Sequence, residues 1–122
     1  MALRFSIATK RIPVELETFD GKVRNCELRE MVAGDRDRYM QGTQERLIMG
    51  PDGKPVGLKN YIGLQAELVS LCLFDEEGQP FSVDVIQKTF PGPTVSGLFA
   101  EAQKLNNLGK KPEEILSEAK NG

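Results

Sequence analysis

GLKNYIGLQAELVSLCLFDEEGQPFSVDVI, residues 57–86, is the stretch whose reading decides the fold. Over residues 58–74 the apolar side chains Leu58, Tyr61, Ile62, Leu64, Leu68, Val69, Leu71, Cys72 and Leu73 would cover more than half the circumference of a helix. Asn60, Gly63, Glu67 and Ser70 are left as a narrow polar strip. A helix this apolar needs partners on several sides, so the other segments read as its cover. Gln65 stands inside the apolar face. It is either an amide satisfied by a backbone group, for instance of a hairpin, or a polar handle in an interface with another protein. Asp75-Glu76-Glu77-Gly78 closes the helix without the twelve-residue ligand alternation of a calcium loop, and so reads as a solvated turn. Ser82 is placed to cap a short helix over residues 83–89, with Asp84 in its first turn.

Working outward toward the N-terminus, IMGPDGKPVG (residues 48–57) holds two prolines and three glycines and reads as a flexible loop. Its Gly and Lys lack the spacing of a phosphate-binding loop. Residues 32–47 form an amphipathic helix with Val32, Tyr39, Met40 and Leu47 on one stripe. Arg36 and Thr43 interrupt that stripe, and Gly42 weakens the helix, so its hold on the core is loose. Before it, Val14-Glu15-Leu16-Glu17 alternates apolar and acidic residues, Asp20-Gly21 supplies a tight turn, and residues 22–28 return. Cys26 breaks the alternation begun at Val23, which places a bulge or strand end near Asn25. Residues 2–11 alternate weakly through Leu3, Phe5 and Ile7 as a further short strand that frays before Pro13. A two-stranded hairpin is marginal by itself and must lie on helices.

Toward the C-terminus, Phe90-Pro91-Gly92-Pro93 breaks the chain and Thr94 caps the last long helix. Val95, Leu98, Phe99, Ala102 and Leu105 form its apolar stripe. Asn106 ends that stripe and, with Asn107 and Gly109, terminates the helix. Pro112 opens a short helix over residues 113–120, charged and mobile, with Ile115 and Leu116 as its only anchors. The expectation is one α+β domain over residues 1–122, with its core in residues 14–108 and mobile ends at 1–10 and 109–122. An N-terminal antiparallel β-hairpin, with room for a third short strand, packs on a mainly α bundle of three to five helices.

Composition removes several classes of function. The net charge is −2, and the basic residues are interleaved with acidic ones. No cluster of Lys and Arg is available to displace counterions from phosphates, so no nucleic acid is expected. No run approaches the ~18–20 apolar residues of a membrane span, and the opening residues lack the apolar core of a signal peptide. A soluble, intracellular protein is expected. Cys26 and Cys72 belong to no metal or redox motif and read as reduced, buried thiols. The chain has no histidine, which removes the usual general base, the usual activator of a cysteine nucleophile and most zinc sites. The remaining carboxylates lie on a wet strand face and in a turn. No catalytic residue, cofactor or metal is expected.

Three stretches add a family likeness: LREMVAGDRDRY (residues 28–39), LVSLCLFDEEGQP (68–80) and LFAEAQKLN (98–106). In this order and spacing, over about residues 14–108, the chain resembles the tail assembly chaperones of long-tailed bacteriophages and prophages. The resemblance implies a non-catalytic protein of the bacterial host cytoplasm, absent from the mature virion. Its partners would be the tape measure protein, whose long apolar helices it keeps soluble, and the tail tube protein. A homo-oligomer is compatible with this; a membrane is not involved. The same reading leaves open a structural subunit of a phage tail or connector complex. Many of these chaperones carry an arginine in the first half of the central helix, where this chain has Gln65. The expected protein-binding residues are Arg36, Tyr39, Met40, Gln65, Leu105 and Asn106, the places where apolar stripes carry unexpected polar groups.

Overall fold

The computed structural model describes residues 2–59 and 63–108. The elements run β1 (Arg11–Glu17), β2 (Val23–Arg29), α1 (Ala33–Glu45), β3 (Leu47–Met49), β4 (Pro55–Leu58), α2 (Leu64–Cys72), β5 (Leu73–Phe74), α3 (Val83–Thr89) and α4 (Gly92–Leu105). The fold is α+β: an N-terminal antiparallel hairpin is extended by a third short strand in the order β1-β2-β5 and packs on helices. A second, separate hairpin, β3-β4, sits between α1 and α2.

Local chemistry accounts for the first hairpin. In β1 the residues Val14 and Leu16 are half-buried while Glu15 and Glu17 stay in water, the alternation of a strand with one covered face. Gly21 takes φ 82°, a left-handed conformation that L side chains avoid, and its N–H donates to the Thr18 carbonyl at 2.9 Å. The β1-β2 register runs unbroken from Arg11 opposite Arg29 to Glu17 opposite Val23. The bulge expected near Asn25 is therefore absent. Val23 belongs to the outer face, where it is 51% exposed, and Cys26 and Leu28 belong to the inner one. The further strand expected over residues 2–11 does not form either: residues 2–10 carry no helix or strand, and β1 begins at Arg11.

The central helix is shorter than its apolar run. Gly63, at φ 83°, cannot belong to a right-handed helix and fixes the start of α2 at Leu64. At the other end Leu73 turns extended and, with Phe74, pairs with Leu28 and Glu27 of β2. The open edge of the hairpin thus takes the end of the apolar run as a strand. The expected loop over residues 48–57 is also corrected. Pro51-Asp52-Gly53 does turn, with Gly53 at φ 78°, but the residues on either side pair as β3 and β4. The last long helix begins at Gly92 rather than after Thr94. Pro93 lies in its first turn, where the missing N–H costs no hydrogen bond. The expected Ser82 cap is present: its Oγ accepts from the Val85 N–H at 3.2 Å. The short helix expected over residues 113–120 lies outside the described residues.

The core is a single cluster between α2, α3, α4 and the inner face of the sheet. Leu28, Leu68, Leu73 and Ile86 are fully buried, each removing apolar area worth about 1.5–3 kcal/mol. By contrast α1 buries none of its residues, in keeping with its interrupted stripe.

Candidate interaction surface

Among the described residues the one buried polar side chain is that of Asn106, the residue that follows α4. Its side chain is 2% exposed and makes three contacts. Oδ1 accepts from the Met31 backbone N–H at 2.7 Å; Nδ2 donates to the Ala102 carbonyl at 2.9 Å and reaches Cys72 Sγ at 3.4 Å. Its own carbonyl accepts from Arg36 Nη1 at 2.6 Å. One amide therefore ties α4 to α2, to the segment entering α1 and, through Arg36, to α1 itself. The helix ends there for a local reason. Asn107 adopts φ 56°, the Leu108 N–H donates to the Gln103 carbonyl at 2.7 Å, and the Asn107 N–H donates to the Lys104 carbonyl at 3.2 Å. That pair of bonds is a Schellman termination, with asparagine in the left-handed position.

Of the residues expected to bind a partner, Arg36, Leu105 and Asn106 converge on this knot. Leu105 and Asn106 are buried, and Arg36 is half-buried. In the folded chain they tie α4 to α1 and to the segment that enters it. Tyr39 and Met40 lie one turn further along α1. Tyr39 is half-buried against an open cleft of about 260 Å³, lined also by Arg38, Gly42, Glu67, Ser70 and Leu71. Burial pushes its phenol above the ordinary pKa. Met40 is exposed.

Gln65 lies apart from these residues, on the first turn of α2. Its amide is exposed and unconnected to the hairpin; Oε1 accepts from Ser96 Oγ of α4 at 3.2 Å. Both residues line a groove of about 680 Å³ floored by Leu64, Ala66, Ile86, Phe90 and Val95. The polar handle thus stands at the edge of an apolar groove, on a different part of the surface from Met40.

The acidic turn is held by its own hydrogen bonds. Asp75 Oδ1 accepts from the Glu77 and Gln79 N–H groups, both at 2.9 Å, and Gly78 takes φ 80°. Glu76 pairs with Arg24 of β2 (Nη2 to Oε1 2.9 Å), which keeps its carboxyl below the ordinary carboxylate range. The Arg24 guanidinium also lies 5.2 Å from the centre of the Phe81 ring, and that of Arg29 4.1 Å from Phe74. Among the described residues no three His, Cys, Asp or Glu side chains gather as a metal site. Both thiols are buried and free; burial pushes Cys26 up and Cys72 up to about 11.

Sequence reasoning missed one element of this surface. The β3-β4 hairpin exposes Ile48, Met49 and Val56, and Gly50 closes it with a 2.8 Å bond to the Lys54 carbonyl. Arg46 at its base is paired with Glu67 of α2 at 2.6 Å. The signal was present in the apolar residues flanking Pro51-Asp52-Gly53, but the density of Pro and Gly outweighed it.

No protein family, no curated protein and no solved structure matches this chain. No described helix is long and apolar enough to cross a membrane.

Proposed function

We propose that this protein is a non-catalytic phage tail assembly chaperone, acting in the bacterial host cytoplasm, that binds the tape measure protein and helps recruit tail tube subunits. The observation that supports the reading most is the meeting of the three stretches that carry the resemblance. Leu28 pairs with Leu73; Met31 and Arg36 bond to Asn106; Cys72 contacts the same amide. Segments 28–39, 68–80 and 98–106 thus lie in contact in one part of the fold. The surface is compatible with such a role. Met40, Ile48, Met49 and Val56 are exposed apolar groups among charges, and the groove beside Gln65 is of a kind that receives an amphipathic helix.

Coexpression with the tape measure protein tests the proposal. The tape measure protein alone is expected to aggregate, and with this chain to remain soluble and co-purify. A tape measure protein that is soluble alone and ignores this chain would overturn it. Mass spectrometry of purified virions separates the proposal from a structural-subunit role: a chaperone is absent from the particle.

A further inference from the structure

Residues 2–9 stand away from the domain with their apolar side chains in water: Leu3 is 87% exposed, Phe5 84% and Ile7 102%. The three alternate with Arg4 and Ser6, so in an extended strand they share one face. An unpaired strand edge is available elsewhere on the same fold. The Thr18 N–H donates to the Lys22 carbonyl and the Glu30 N–H to the Lys10 carbonyl. The even-numbered residues of β1 therefore direct their backbone groups to β2, and the odd-numbered ones face away. Pro13 falls on an outward position and blocks that half of the edge. The N–H and C=O groups of Glu15 and Glu17 remain open, and no strand pairs with β1 on that side among the described residues.

The open half of the edge borders a groove of about 840 Å³, whose walls include Leu16, Phe81, Phe90 and Pro91, with Glu15 and Glu17 on its rim. Neither glutamate has an ion pair among the described residues. We propose that residues 2–9 of one copy of this chain add as a strand to the Glu15 and Glu17 edge of β1 in a second copy, seating Leu3, Phe5 and Ile7 in that groove. Cross-strand neighbours share a face, so the apolar arm residues fall beside Leu16. Arg4 then falls on the outer face beside Glu15 and Glu17. The charges match: residues 2–11 carry Arg4, Lys10 and Arg11 and no acidic residue.

On its own edge the arm carries Phe5 and Ile7 only as far as the Pro13 half. A two-residue turn at Ala8-Thr9 would set Ile7 opposite Lys10, Phe5 opposite Ile12 and Leu3 opposite Val14. Bringing Phe5 or Ile7 further along would move the turn into residues that pair with β2 and unzip the hairpin. A second copy is free of that register and can set Leu3, Phe5 and Ile7 along the Glu15 and Glu17 half. The contact is head-to-tail, so each added copy extends it, into a ring where the rotation closes and a filament where it does not. It is independent of the partner proposed above.

Sedimentation analysis of the full chain over a concentration series tests this. The wild type is expected to self-associate. Phe5→Asp, at a side chain that makes no contact within its own copy, raises the dissociation constant at least about tenfold. Glu15→Pro removes an outward N–H without touching the β1-β2 ladder and does the same. Mixing the two variants restores one contact, between the intact arm of one and the intact edge of the other, and yields a dimer. A wild type that stays monomeric, a Phe5→Asp chain that associates normally, or a mixture that stays monomeric would overturn the proposal. Should circular dichroism find Glu15→Pro unfolded, the double variant Glu15→Lys, Glu17→Lys replaces it, with loss of association expected and normal association counting against the proposal.

Discussion

Asn106 contributes more to this fold through hydrogen bonding than any other polar side chain described. Replacing it with alanine strands the buried Met31 N–H and opens a small cavity, at a cost of about 1–3 kcal/mol for the unpaired donor alone. Urea denaturation is expected to place Asn106→Ala well below the wild type, with Asn106→Asp no better, since a buried carboxylate replaces the amide donor to Ala102. Cys72 makes a second residue-scale prediction. Its folded pKa, about 11, lies above its ordinary value, so the neutral thiol favours the native state. That contribution is full below the unfolded pKa, near 9, and is lost as pH rises through about 11. Between those values the wild type should lose stability faster than Cys72→Ala, measured by denaturation at stepped pH. In the folded protein at neutral pH both thiols should resist alkylation.

At the scale of elements, the short helix α3 depends on its cap. Ser82→Ala removes the acceptor for the Val85 N–H and is expected to lower stability by about 1 kcal/mol, with Ser82→Asp retaining it, as thermal melts would record. The β3-β4 hairpin makes the opposite prediction. Ile48, Met49 and Val56 are exposed, so polar replacements there should leave stability within about 0.5 kcal/mol of wild type. Under the proposed chaperone role the same replacements should weaken capture of the tape measure protein, as a pull-down would measure. These two elements also mark where sequence reading succeeds and where it fails. The α3 signal is local: a serine cap, an acidic first turn and an apolar residue all lie within a few positions. The fate of Leu73 and Phe74 is not local. A short apolar run suits a helix or a buried strand equally, and the free edge of β2 decided between them.

At the scale of the molecule, the hairpin, the four described helices and the core that α2, α3 and α4 share with the sheet were readable in outline because alternation and helical spacing impose the inward faces directly. The candidate surface was less legible. Arg36, Leu105 and Asn106 stood out as polar or terminal positions on apolar stripes, and the fold turned that irregularity inward, into a knot of hydrogen bonds. Gln65 stood out for the same reason and was turned outward, to the rim of a groove beside Ser96. The sequence by itself determined the α+β class, the tight turn at Gly21, the Ser82 cap of α3 and the buried state of both cysteines, all set by short-range sterics or by hydrophobicity alone. Only the tertiary structure decided that the apolar run divides, among its described residues, into strand to Leu58, glycine stop at Gly63, helix over Leu64–Cys72 and strand over Leu73–Phe74. It also decided which unexpected polar groups are sealed and which are left exposed. Those outcomes depend on hydrogen-bond partners many residues away in the chain, and no local pattern encodes them.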